Sequence, residues 1–152
     1  MFELLRRVLK DHESATDQPP AESYAVASAA GALMIEVAFA DHELTAEEKR
    51  HVRVSLELLF GIESTQAGRL VGESTARHAS ATDLFGFTRT LNEHLDGDEK
   101  QALLIQLWRL HDHAGETFHR EEHVIRRISD LLYLSHAEFI AAKLAARNAT
   151  NP

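Results

Sequence analysis

The chain has 152 residues and no cysteine, a length that suits a single domain and a composition that excludes disulfides, thiolate metal sites and thiol redox chemistry. Its 44% hydrophobic and 26% charged residues are those of a folded protein rather than a disordered one. A formal net charge of -8 provides no basic face for phosphate contacts, which excludes a nucleic-acid partner and disfavours broad adhesion to anionic membranes.

Residues 1–13, MFELLRRVLKDHE, lack the apolar run of a signal peptide or a membrane span. Phe2, Leu5, Val8 and Leu9 share one face of an amphipathic helix, flanked by Arg6, Arg7 and Lys10. That helix is read as packing on the body of the protein, with reversible contact with a membrane or a partner as the alternative. Residues 14–20 form a linker, because Pro19 and Pro20 lack amide donors and bias Gln18 towards extended backbone. A helical domain is expected over 21–149, and cytoplasmic residence is consistent with this composition.

Within that domain a long helix is expected from Ala21 to Phe39, and its small apolar middle, AVASAAGALMIEVAFA, marks it as a central element. Thr45 is the N-cap of the next helix, Glu48 completes a capping box and Gly61 ends the helix. Ser64–His78 gives a weaker helix, since Gly68 and Gly72 interrupt it. Leu84, Phe87, Leu91 and Leu95 recur at helical spacing after a cap at Thr82 or Asp83. Asp96 with Glu99 caps the apolar helix KQALLIQLWRL, and Ser135 with Glu138 caps the last one. Trp108, Phe85 and Phe87 are assigned to the core, and Arg53, Arg126 and Arg127 to ion pairs. No stretch alternates like a strand. The expected fold is all-α: a single-domain bundle of seven or eight helices.

Two segments look like copies of one unit, ADHELTAEEKRHVRVSLELLF over 40–60 and HAGETFHREEHVIRRISDLLY over 113–133. At a constant offset of 73, Glu43 matches Glu116, Glu48 matches Glu121, Arg53 matches Arg126, and Leu58-Leu59 match Leu131-Leu132. Each copy places carboxylates where one helix ends and the next begins. Two such turns meeting about a pseudo-twofold axis would gather the oxygen ligands that hard cations need. Glu48 is explained equally well as a capping residue. In the second copy, however, Phe118 stands at the Thr45 position and Glu121 is kept without the box. An EF-hand does not fit: counting from Asp41 puts Ala46 where the loop needs glycine and Val52 where it needs glutamate.

His111, His113, His119 and His123 crowd the second junction, and His119 and His123 share a helical face at a spacing compatible with zinc. The pentad from His119 to His123 also spells H-x-x-E-H, which places a zinc-dependent hydrolase third among the functional readings. A peptidase would need a distant third ligand and a cleft, and 29 residues follow His123.

AAGALMIEVAFADHELTAEEKRHV and EEHVIRRISDLLYLSHAEFIAAKLAA resemble the TerB-like family, the tellurite-resistance TerB proteins and their bacterial relatives, over about Tyr24 to Arg147. The domain is also similar to the N-terminal part of a membrane-anchored DnaJ-like protein. The family pattern at each junction runs alanine, aspartate, glycine, glutamate, then a glutamate five residues on. The first copy has Ala40, Asp41, Glu43 and Glu48, with His42 for glycine. The second keeps Gly115, Glu116 and Glu121, with His113 and Ala114 where alanine and aspartate are usual.

The resemblance implies two pseudo-symmetric helical halves, an acidic metal-binding surface and no enzymatic activity. The metal would be a calcium- or magnesium-like ion held by Asp41, Glu43, Glu48, Glu116 and Glu121. Asp112 would substitute for the missing aspartate, or His113 and its neighbours would shift the preference towards zinc. The implied role is that of an accessory protein docking a protein partner in a stress-response assembly, peripheral to the inner membrane, with a homo-oligomer compatible. The rival reading is a metal-independent interaction scaffold. Without cysteine this chain cannot reduce tellurite through a thiol, so any resistance it confers is indirect.

Overall fold

The computed structural model describes the backbone of residues 21–41, 44–78, 84–111 and 118–150, and side chains over 23–40, 44–76, 84–110 and 122–148. Seven helices lie in this part: α1 (Ala21–Ala38), α2 (Ala46–Phe60), α3 (Ser64–His78), α4 (Leu84–His94), α5 (Gly97–His111), α6 (Phe118–Leu131) and α7 (His136–Thr150). A 3-10 turn, Phe39–Asp41, closes α1. No strand occurs among the described residues. The amphipathic helix expected at 1–13 and the linker at 14–20 lie outside them.

Local chemistry sets the helix ends. Thr45 has extended backbone, its Oγ1 accepts from Glu48 N–H at 3.1 Å, and its own N–H donates to Glu48 Oε1 at 3.0 Å. The same reciprocal pair joins Asp96 to Glu99 (2.8 and 2.9 Å) and Ser135 to Glu138 (3.1 and 2.9 Å). The Ser135 bonds hold the Glu138 carboxyl below the usual carboxylate range, the backbone N–H contributing most. Gly61 ends α2 with φ 65° and donates to Glu57 O at 2.9 Å.

The core forms around α1, which touches α2, α3, α4, α5 and α6. It can do so because alanine and Gly31 let neighbours approach: Val26, Ala27, Ala30, Leu33, Met34 and Ile35 are all fully buried. A Cβ at Gly31 would sit 3.4 Å from Leu56 Cδ1 and 3.5 Å from Ser74 Oγ, so α2 and α3 close on α1 at that point. Gly72 has nothing within 4 Å of a built Cβ. Gly72→Ala is therefore expected to raise stability by about 0.5–1 kcal/mol through helix propensity alone, read as a higher denaturant midpoint.

The repeat seen in the sequence governs the whole architecture. The buried positions of α2 at 52, 55, 56 and 59 become 125, 128, 129 and 132 in and after α6 at the same offset of 73. Likewise 26, 29, 30, 33, 34, 35 and 37 of α1 become 99, 102, 103, 106, 107, 108 and 110 of α5, all buried. Even the half-buried pairs 28/101 and 36/109 agree. The offset then drops to 72: Gly61 corresponds to Tyr133, and 67, 70 and 74 of α3 to 139, 142 and 146 of α7. The lost residue sits at the end of α6. Tyr133 occupies a left-handed position with φ 61°, inside a Schellman motif in which Leu134 N–H reaches Ser129 O at 3.1 Å and Tyr133 N–H reaches Asp130 O at 3.0 Å.

Helices α1–α3 and α5–α7 are thus two copies of a three-helix unit, with α4 between them. Within each copy the first helix packs on the third, and across copies α2 packs on α5 as α6 packs on α1. These reciprocal pairs are the contacts a pseudo-twofold axis requires.

One side-chain assignment changes. Phe85, expected in the core, is 64% exposed at the first turn of α4. It lies off the buried face marked by Thr88 and Leu91. Arg53 pairs with Glu57 at 3.1 Å as expected, and Arg126 lies 4.5 Å over the Phe139 ring.

Candidate functional site

At the first junction, α1 tightens into the 3-10 turn that carries Asp41, and α2 starts at Thr45 with Glu48 in its first turn. Glu48 is 1% exposed, and its Oε1 is held by the Thr45 N–H. A carboxylate this buried is uncommon unless it is engaged. Burial alone assigns it no ligand role, though: Glu99, capping α5, is equally buried and belongs to no acidic repeat.

The 3-10 turn packs against α6, the helix on which the repeat places Glu121. One acidic junction therefore abuts the helix that begins at the other. The backbone at Asp41 and Glu121 is described, and their side chains lie outside the described residues. Glu43, Asp112, His113 and Glu116 lie wholly outside them. Among the described residues no three metal-ligating side chains come together. His123, one half of the histidine pair read as zinc-compatible, is exposed on α6.

Sequence reasoning missed a polar knot where α2 crosses α5. His51 Nε2 lies 3.2 Å from Gln106 main-chain O and 3.3 Å from Ser55 Oγ, and Ser55 Oγ donates to Gln106 Oε1 at 3.2 Å. Ser55 and Gln106 are buried. The only sequence signal was two polar residues at core positions of otherwise apolar faces. His51 also lines an open pocket of about 410 Å³ with Glu47, Arg50 and Val54.

On the far side, α5, α6 and α7 meet around Trp108. Its ring meets Phe139 edge-on at 5.1 Å, and Lys143 Nζ lies 5.2 Å from its centroid while 3.8 Å from Glu122 Oε1. No residue of this cluster is arranged as a nucleophile with a base.

The sequence pattern that defines the family described as Tellurite resistance protein TerB matches residues 27–144, from the first turns of α1 into α7. The chain belongs to the TerB family. The TerB match covers both acidic junctions and most of both three-helix units, so the repeat lies largely inside the matched region. No curated protein and no solved structure matches the chain. No helix among the described residues is long and apolar enough to cross a membrane.

Proposed function

We propose that this TerB-family chain is a non-enzymatic accessory protein that binds one divalent cation between its two acidic junctions and, so loaded, docks a protein partner in a stress-response assembly. The observation that carries the reading is the seating of the 3-10 turn ending in Asp41 on α6, the helix that carries Glu121. Asp41, Glu43 and Glu48 would supply the ligands of one side and Glu116 and Glu121 those of the other. Asp112 or His113 would complete the second. An all-oxygen set of this kind suits calcium or magnesium, and a histidine in it would move the preference towards zinc. The bound charge would neutralise carboxylates that otherwise repel, pinning the two halves at their junctions and coupling ion binding to the shape offered to a partner.

Glu48→Gln separates this role from capping, because the glutamine oxygen still accepts the Thr45 N–H while the charge is gone. Chelator-stripped protein titrated calorimetrically should bind calcium or magnesium at one site. Glu48→Gln should weaken that site at least about tenfold while stability stays within about 1 kcal/mol of wild type. No heat and no thermal shift with calcium, magnesium, zinc or manganese would remove the metal from the reading.

The exposed Phe85 and Tyr133 favour a second reading, a metal-independent interaction scaffold. Under it, capture of a partner is unchanged when Asp41 and Glu48 become asparagine and glutamine.

A further inference from the structure

We propose that the surface where α2 crosses α5 is the docking seat of the chain's own residues 1–13, the amphipathic helix read from the sequence, which lies there as α4 lies on the other half. The repeat leaves one place unassigned. α1 packs closely against α2, α3, α4, α5 and α6, and exchanging the two copies turns that set into α6, α7, a counterpart of α4, α1 and α2. α5 packs closely against α6, α7, α1 and α2, so the counterpart of α4 is none of the described helices. Because α4 bridges α1 and α6, its counterpart belongs across α5 and α2.

The side chains at that place have the character of a contact face. Asn92 of α4 donates to Leu131 O at 2.9 Å, and Leu131 is half-buried there. At the offset of 73 its counterpart on α2 is Leu58, which is 60% exposed, and Val54 one turn earlier is 43% exposed. Val54 lines the open pocket of about 410 Å³ with Glu47, Arg50 and His51, and His51 reaches Gln106 O, which sets the pocket beside the α2–α5 crossing. An apolar strip that runs into a cavity suits the apolar face of a helix. The N-terminal segment carries a matching face: Phe2, Leu5 and Leu9 repeat the spacing of Leu84, Phe87 and Leu91, the apolar positions through which α4 meets the core. The offset between these two sets is 82 against 73 for the helices that follow, so the connection to α1 is nine residues longer than that from α4 to α5. Only Leu95 and Asp96 separate α4 from α5, and a longer connection reaches the same position with slack. Arg6, Arg7 and Lys10 flank the apolar face, and the exposed Glu47 stands at the pocket to meet them. Docked in this way the segment turns its apolar face inward, and that face meets a membrane or a partner only by leaving the seat. The inference stands independently of the cation reading.

The chain has no cysteine, so paired cysteines report the contact without background. The register of α4, carried over at the offset of 82, puts residue 10 where Asn92 stands and therefore beside Leu58. The full-length double variant Lys10→Cys/Leu58→Cys should form an intramolecular disulfide under mild oxidation and run as a monomer on a non-reducing gel, whereas Lys10→Cys/Phe85→Cys should not. In the cysteine-free chain, hydrogen exchange read by mass spectrometry should show protected amides over residues 2–9. Leu58→Asp, at an exposed position that the fold tolerates, should speed their exchange at least about tenfold while α5 stays protected. Disulfides formed only between two chains would assign the seat to a second copy. Unprotected amides over 2–9, or exchange there unchanged by Leu58→Asp, would leave the seat to another partner. Each of these results overturns the proposal.

Discussion

Replacing Trp108 by alanine is expected to cost about 3–5 kcal/mol, the range for truncating a large buried aromatic. The side chain is 1% exposed, and it is where α5 meets α7 through Phe139 and where Lys143 is held towards Glu122. Alanine would leave a cavity that neighbours on three helices cannot fill together, and the edge-to-face contact would vanish with it. A domain of this size has roughly 5–15 kcal/mol in total, so the variant should sit near the limit of folding. Trp108→Phe keeps a ring against Phe139 and should lose much less. Chemical denaturation followed by circular dichroism measures both. A cost below about 1 kcal/mol for the alanine variant would mean that the second three-helix unit is not organised around this ring.

The first unit has its own critical point at Gly31, and there the expected failure is overpacking. Alanine fits, since its Cβ would make contacts of 3.4–3.5 Å with Leu56 and Ser74, each able to give slightly. Its better helix propensity offsets that strain, leaving Gly31→Ala within about 1 kcal/mol of wild type. Valine adds two branches where Leu56 and Ser74 already stand and should cost about 1–3 kcal/mol or more. Thermal melts of the pair read the difference directly. Equal stability of the two variants would show that α2 and α3 do not close on α1 as tightly as described.

Much of this fold was legible because its helix boundaries are written in local chemistry. Thr45/Glu48, Asp96/Glu99 and Ser135/Glu138 bond within three residues of themselves, and Gly61 needs only its own backbone, so each stop and start could be read without tertiary knowledge. The duplication was legible from five identities, and the burial pattern extends it to helices where no identity had been noted. Tyr133 was not legible as a left-handed cap, because glycine normally marks that position and a one-residue shortening of α6 put tyrosine there instead. Phe85 was misread since an aromatic residue flanked by apolar neighbours on a short helix looks like core until the helix phase is fixed. The knot of His51, Ser55 and Gln106 joins residues 51 and 55 positions apart in the chain, and no local rule pairs them.

The acidic residues divide along the same line. Glu48 could be named from its spacing to Thr45. What the sequence held only as a repeat, the packing of the 3-10 turn on α6 gives a spatial meaning: the first junction sits against a helix of the other half. A cation shared between them, as proposed, would act as a fastener at the pseudo-twofold axis and would make the proposed partner docking sensitive to ion supply. This fits a chain with no cysteine.

A crystal structure of calcium-loaded protein puts that arrangement to its most direct test. One ion is expected with carboxylate oxygens from both junctions, Asp41, Glu43 or Glu48 on one side and Glu116 or Glu121 on the other, at about 2.3–2.6 Å. Glu48 and Glu121 facing separate solvent, with any ion bound by one junction alone, would contradict it.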